Sequence, residues 1–473
     1  MVVPTILPAM NTPLDSFTLS RRDLLFASLA GATIFPWISR AQPKPAAKPG
    51  NSEPGLRVKN ITRTAVKVPY RTVPARNMAR ELPHWKYIEV FEVELASGHV
   101  GFGETLLHYT FRSTQDENVA FAQGKNAASI MWDDELGAGL QMALFDAVAR
   151  AMDVPVHALL GKQVHKDTPV GWWDIDLSPE DVAAETRTAA ANGYLAFKTK
   201  GRPWFDIWEQ ARQGDAAAPE GFSIAFDYNN TLLDAERGIP ILQDVEKYAI
   251  TKIVETPIAQ DNVPDGVEIK KHTKAKVAHH YGWPQALIAL RNPICDGFVI
   301  GGGANRVMRQ GTVAAMADMP FWLQIVGSSI TAAWSLHFGA VHSHATWPAV
   351  NCHQLYTHTL LNRPIVVKQG RTPIPDGPGL GFELDHKQLK ELEIPKAPTR
   401  PNPPRLLETR WPDGKKMYVA NGGVNFMLKL FMKDNGYPYF EPGVTTALLH
   451  DDGSKDWKDL YKRAKQKPVF SKA

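Results

Sequence analysis

"GYLAFKTKGRPWFD", residues 193–206, is an apolar run that ends in two lysines at alternate positions, Lys198 and Lys200. Side chains two apart on a strand share a face, so both ammonium groups enter the same space. A solvated surface strand would not need that pair. Like charges held close repel, and burial penalises each further, so both effects lower a lysine pKa. A lysine so treated serves as a general base near neutral pH. The plainer reading is that Lys200 reaches solvent and pairs with Asp227 or Glu255.

The same kind of run recurs along the chain, at "PVGWWDI", "SIAFDYN", "ITKIVET", "AKVAHHY", "CDGFVIG" and "FWLQIVG". Polar, helix-compatible stretches separate these runs, such as "SPEDVAAETRTAAANG", where Ser178 and Pro179 open a helix. Lys200, Asp227, Glu255 and His280 follow one another at roughly 25-residue steps, the length of a strand-plus-helix unit. Near-continuous apolar strands in that rhythm predict an α/β fold with a parallel β/α barrel. A doubly wound sheet is the second choice. It would bring a Gly-rich phosphate turn after its first strand, and "GWWDIDLSP" has none.

Upstream, "KYIEVFEVELASGHVGFGE" alternates apolar and charged residues into a Gly-rich turn and reads as an antiparallel hairpin. "DELGAGLQMALFDAVARAMDVPVHALLG" reads as a helix with an apolar face closed by Pro155. Together they predict an α+β domain over residues 55–165, ahead of a barrel over 166–385. Residues 386–473 form an extension in which "ETRWPDGKKMYVANGG" suggests a hairpin and the Lys-rich end a solvated helix.

The first 54 residues read as targeting sequence. Arg21 and Arg22 precede an apolar run from Leu24 to Phe35, with small residues at Ser39 and Ala41. This pattern is that of a twin-arginine export signal cleaved after Ala41, implying a periplasmic or secreted protein. The run is short for a bilayer span, so no stable membrane anchor is expected once it is removed. "PKPAAKPGNSEPG" is a linker.

Composition narrows the function. A net charge of +4 over 473 residues, with no basic block, argues against nucleic acid as a partner. Two cysteines, Cys295 and Cys352, give neither a disulfide framework nor metal-ligand spacing.

In a barrel, chemistry sits at the C-terminal ends of the strands. Here those ends carry Asp174, Lys198 and Lys200, Asp227 and Asn229, Glu255, then His279 and His280. Asp227 and Glu255, from successive strands beside a lysine, suit an oxygen-bound divalent cation. Such an ion would stabilise a carboxylate substrate as its α-carbon loses a proton to Lys200.

At these residues the chain resembles the enolase superfamily, in its mandelate racemase/muconate lactonizing enzyme branch. The likeness runs from about Leu56 to about Asp385. "GHVGFGET" is similar to that family's capping-domain hairpin, and "MALFDAVARAMDVPVHALLG" to the helix leading into its barrel. "GYLAFKTKG" resembles its K-x-K base strand, "AFDYNN" and "IVETPI" its metal-binding strands, and "IPDGPGLGFELD" its closing segment.

The resemblance implies a modified (β/α)7β barrel under an N-terminal capping domain, acting on a small-molecule carboxylate by α-proton abstraction. Lys200 would be the base, Lys198 its partner, and Asp227 and Glu255 ligands of Mg2+. "PYRTVPARNMARELPHW" would be a mobile capping loop whose Arg76 and Arg80, with Asn229, meet the substrate. Assembly into a homo-oligomer is common in such a family.

Three departures qualify the likeness. The fifth strand, "AKVAHHYG", has no third carboxylate and offers His279, His280 or Tyr281 instead, which favours Mn2+, Fe2+ or Zn2+ or makes His280 an acid/base group. The sixth strand ends in Gly301 where a second lysine would stand, and the seventh has Gln324 in place of a histidine. One secure base favours dehydratase-type elimination on a sugar acid or hydroxy acid over two-base racemisation or epimerisation. Cycloisomerisation and a catalytically silent acid-binding protein are the alternatives. Cys352, His353 and His358, beside the last strand, read equally as packing or ligand residues.

Overall fold

The computed structural model describes residues 54–109, 113–420, 423, 425–433 and 438–471. The expected export signal at Arg21–Ala41 lies outside them. Eight strands form a parallel sheet: β4 (Asp167–Trp173), β5 (Ala196–Lys200), β6 (Ser223–Asp227), β7 (Thr251–Glu255), β8 (Lys276–His280), β9 (Gly297–Ile300), β10 (Phe321–Leu323) and β11 (Ala349–Val350). Their order runs β10-β9-β8-β7-β6-β5-β4-β11. A parallel bridge between Gln324 and Val350 joins the two ends of that order and closes the ring.

Each of the first seven strands feeds a helix, and β11 has none, which gives (β/α)7β. The strands are buried on both faces and so read as unbroken apolar runs. Helix starts are built as the sequence suggests. Ser178 Oγ accepts the Asp181 N–H at 3.2 Å ahead of Pro179–Ala191, and the Asp206 carboxylate caps Ile207–Ala217 in the same way.

Before the barrel, β1 (Val58–Lys67), β2 (Tyr87–Leu95) and β3 (Val100–Leu106) make an antiparallel sheet. The helix Ala138–Ala151 lies directly on β3. This is why β3 carries glycines. A Cβ on Gly101 would fall 2.1 Å from Ala147 N, and one on Gly103 would fall 2.3 Å from Gly139 O. The segment "IPDGPGLGFELD" returns to this layer, its Leu380 N–H bonding the buried Asp146 carboxylate at 2.7 Å. One core runs continuously from the capping sheet into the barrel.

The extension is more structured than its sequence suggests. Ahead of it a short strand, β12 (Arg371–Pro373), adds to β4, and within it β13 (Leu406–Arg410) and β14 (Lys416–Ala420) form the expected hairpin. β15 (Thr445–Leu449) and β16 (Val469–Ser471) flank it, giving a four-stranded antiparallel sheet in the order β15-β13-β14-β16. The terminal helix Lys455–Ala464 is not simply solvated. Its outer face is charged, but Trp457 and Ala464 pack with Leu406 and Ala420. On the opposite side, Trp204 and Phe205 from the loop after β5 enter the extension's core with Leu407, Met417 and Phe431. No helix among the described residues is long and apolar enough to cross a membrane.

Candidate active site

Strand register brings the predicted residues together. Lys200 pairs with Asp227, and Asp227 with Glu255, at the C-terminal ends of β5, β6 and β7. Glu255 pairs with Ala278, so His280, two residues further along β8, points to the same interior face. Its Nε2 lies 3.1 Å from Glu255 Oε1. His279 has the opposite parity, is buried against the helical layer, and does not join the cluster. Burial, then His280, pushes its pKa down to about 4.

The two lysines take different environments. Lys198, only 3% exposed, contacts Glu255, stands 3.5 Å from Asp227 and donates to Gln324 Oε1 at 2.6 Å. Burial works against its charge, but Glu255 and Asp227 outweigh it and raise its pKa. This differs from the sequence expectation that both lysines are depressed. Lys200 pairs with Asp227 alone. Burial first, then Lys198 and Arg202, hold it below the usual lysine range against the pull of Asp227. The lysine with the lowered pKa is the one expected to act as base.

Asp227 is 1% exposed and Glu255 fully buried, lying beneath the lysines. Burial opposes charge on Asp227, yet Lys200 and Lys198 keep its carboxyl well below the usual carboxylate range. Both Glu255 oxygens lack a directed hydrogen bond, although the Lys198 ammonium touches one of them. The under-used Glu255 oxygens, beside the adjoining Asp227 carboxylate, are oxygen donors that fit a divalent cation. Among the described residues no three His, Cys, Asp or Glu side chains converge on one point. The Lys198 ammonium stands between the two carboxylates.

Above the cluster lies a cavity of about 160 Å³ that exposes Lys198, Lys200 and Asn229. Trp173, Ile175 and Val350 line its barrel side, and Trp85, stacked on Trp173 at 5.6 Å, roofs it from the capping domain. Asn229 is in the left-handed region, at φ 48°. Its N–H donates to Asp227 Oδ1 at 3.0 Å and its side-chain oxygen accepts from Arg202 at 3.0 Å.

Arg202, also on the cavity wall, escaped the sequence reading. It continues the alternation of Lys198 and Lys200 by one further step, and that spacing was the available signal. Gly301 and Gln324 explain the absent second base. A Cβ at Gly301 would sit 2.3 Å from the Gln324 carbonyl oxygen, so no lysine fits there.

The segment expected to be a mobile loop is the helix Thr72–Glu81, and its arginines do not reach the cavity. Arg76 pairs with Asp181 at the start of the first barrel helix. Arg80 is buried, bonding Asn77 Oδ1 at 2.7 Å and the Asp176 carbonyl. Both are corrections to the sequence reading: Arg76 ties the cap to a barrel carboxylate and Arg80 to a barrel carbonyl, rather than lining the cavity. Asp174, at the end of β4, likewise faces the cap, accepting from Asn77 at 3.0 Å. Cys352 lines the cavity, whereas His353 packs against Tyr194, with 3.1 Å between its Nε2 and the phenol oxygen.

Residues 181–388 match the family model described as Enolase C-terminal domain-like. Chloromuconate cycloisomerase of Cupriavidus pinatubonensis is 26% identical over 273 residues, 54% of this chain and 71% of that protein. D-galactonate dehydratase of Xanthomonas axonopodis pv. citri is 23% identical over 353 residues, covering 65% of this chain and 91% of its own. Among solved structures, an enolase from Thermobispora bispora complexed with magnesium and formate superposes with a TM-score of 0.59 at 18% identity. It covers 71% of this chain and 92% of that one.

Proposed function

We infer that this chain, a member of the enolase superfamily in its mandelate racemase/muconate lactonizing branch, is an enzyme that removes the α-proton of a hydroxylated carboxylate and eliminates the β-hydroxyl. One observation carries the reading: a half-buried lysine held below its usual pKa faces the cavity directly beside two adjoining carboxylates.

Lys200, as the free amine, accepts the α-proton on one face of the substrate. Lys198, kept charged by Glu255 and Asp227, orients the substrate carboxylate. The Lys200 ammonium can return its proton to the departing β-hydroxyl on the same face. The α-proton and hydroxyl then leave as water, and the enol product becomes a ketone. Trp85, Trp173 and Ile175 exclude bulk water from this step.

Asp227 and Glu255 would hold a divalent ion that offsets charge developing on the substrate carboxylate once the Lys198 ammonium between them gives way, and the His280 imidazole, 3.1 Å from Glu255, is the donor nearest to joining them. Mg2+ is the ion expected from the family, and the Thermobispora enolase with magnesium and formate supports it. The imidazole tilts preference toward Mn2+, Fe2+ or Zn2+. Gln324 and Gly301 supply no base on the opposite face, which supports elimination over racemisation.

Metal analysis of protein purified without added salts tests the pairing. About one divalent ion per chain is expected, lost in Asp227→Asn and Glu255→Gln, and a metal-free wild type that forms keto acid would overturn it. Export rests on Arg21 and Arg22. Replacing both with lysine should retain the protein in the cytoplasm, and unchanged export would remove that assignment.

A further inference from the structure

The C-terminal extension reaches into the cavity. Arg400, Asn425 and Leu428 line its outer side, opposite the Lys198–Lys200 floor. The extension is fixed there rather than loosely draped. Arg405, 2% exposed, donates to the Arg80 carbonyl at 2.7 Å and the Gly423 carbonyl at 2.8 Å. Tyr439 Oη donates to the Leu232 carbonyl at 3.1 Å, and Thr446 Oγ1 to the Trp204 carbonyl at 3.0 Å.

Of the cavity's cations, three are engaged: Lys198 and Lys200 by carboxylates, Arg202 by Asp176 at 3.3 Å. Arg400 has no ion pair or hydrogen bond with any described residue. Beside it stand two imidazoles from the capping domain, His84 and His108. His84 is 2% exposed, and the Nε2 atoms of both rings are buried without a partner.

The two rings lie edge to face, their centroids 6.2 Å apart. A neutral imidazole Nε2 donates or accepts according to its tautomer, so each of these buried atoms is open to a hydroxyl. Burial first, and Arg400 next, hold His84 down at about 3, so it stays neutral. The outer end of the cavity thus offers one exposed cation and two buried imidazole Nε2 atoms without a partner. Leaving the two buried Nε2 atoms unpaired is costly unless a ligand completes them, and the exposed Arg400 guanidinium is free to pair with an anion that enters beside them.

We propose that the extension is the third wall of the binding site, and that Arg400, His84 and His108 form a distal pole for the far end of a hydroxylated diacid. Arg400 takes the second carboxylate, as guanidinium–carboxylate pairs are strong and directional. The imidazole Nε2 atoms hydrogen-bond neighbouring hydroxyls. The proposal builds on the α-proton reading for the near end of the substrate, but makes a separate claim about the far end.

Calorimetric titration with matched hydroxy acids tests it, each pair differing only in whether the terminal carbon is a carboxylate or an alcohol. Binding needs no turnover, so the result is independent of the chemistry at Lys200. Wild type should bind the diacid about tenfold or more tightly than its partner. Arg400→Ala should abolish that preference while leaving monoacid affinity and thermal midpoint unchanged, and Arg400→Lys should keep part of it. His84→Phe should weaken both acids alike.

A wild type with no diacid preference, or an Arg400→Ala protein that retains it, overturns the proposal, and so does binding of neither acid at millimolar concentration. A His84→Phe protein that binds both acids as wild type does overturns the hydroxyl-binding part. If the preference is present but no acid loses its α-proton, the α-proton reading falls and the distal pole stands.

Discussion

The Lys198 ammonium donates to Gln324 Oε1 at 2.6 Å, tying β5 to the end of β10 across the barrel mouth. Lys198 is thereby anchored on one side by a neutral acceptor and on the other by Glu255. Gln324→Leu should therefore leave the fold intact and let Lys198 swing toward the carboxylates. Loss of a hydrogen bond to a charged group, worth about 1.5–3 kcal/mol, predicts a drop in kcat/KM of roughly tenfold to a hundredfold. Because Lys198 orients the substrate, KM should carry a measurable share of that loss. Steady-state kinetics with a circular dichroism control decide it, and a variant with wild-type KM would detach Lys198 from substrate binding.

Trp204 is the plug between barrel and extension. It is 1% exposed and packs with Leu407, Trp411 and Met417. Truncating a buried tryptophan typically costs about 3–5 kcal/mol. Trp204→Ala should lower the denaturation midpoint accordingly and make the segment around Arg400 and Asn425 exchange its amide hydrogens faster. Protection there that matches wild type would mean the extension is held without this contact.

Acid should unfold the protein through its buried histidines. His337 is fully buried, its Nδ1 accepts the His157 N–H at 3.2 Å, and burial first pushes its pKa down to about 3. His342 is pushed down to about 4 by burial alone. Unfolded histidines titrate near 6.5. Between about pH 6.5 and 4 the unfolded chain binds protons that the folded one does not, so stability is present above that window and lost as pH falls through it. Each such histidine contributes a slope of up to about 1.4 kcal/mol per pH unit. Urea midpoints measured from pH 7 to pH 4.5 should fall steadily, and His337→Asn should flatten the trend. A midpoint independent of pH would show these rings charging without penalty.

The barrel was legible because its signal is local and repeated. Each apolar strand ends in an ionisable residue, and Lys198, Lys200, Asp227 and Glu255 are near neighbours in register as well as in sequence rhythm. The histidine pair resolves by parity alone, since His280 shares the interior face and His279 does not. What escaped was decided by partners far away in the chain. Arg76 and Arg80 look like loop cations until Asp181 and Asp176 are seen beside them. The Lys-rich final helix hides a single apolar face around Trp457, and nothing local says that this face docks on Leu406 and Ala420 of the hairpin. Arg400 could not be found from sequence, because its place on the cavity depends on how the extension docks.

The central claim is that the Lys200 amine takes the α-proton, and solvent exchange reads this most directly. In deuterated buffer, wild type given its acid substrate should incorporate deuterium at the α-carbon or in the eliminated product, followed by NMR. Lys200→Met should lose this by at least about a hundredfold, the usual worth of a positioned base, while still binding substrate. Undiminished exchange in Lys200→Met would contradict the account.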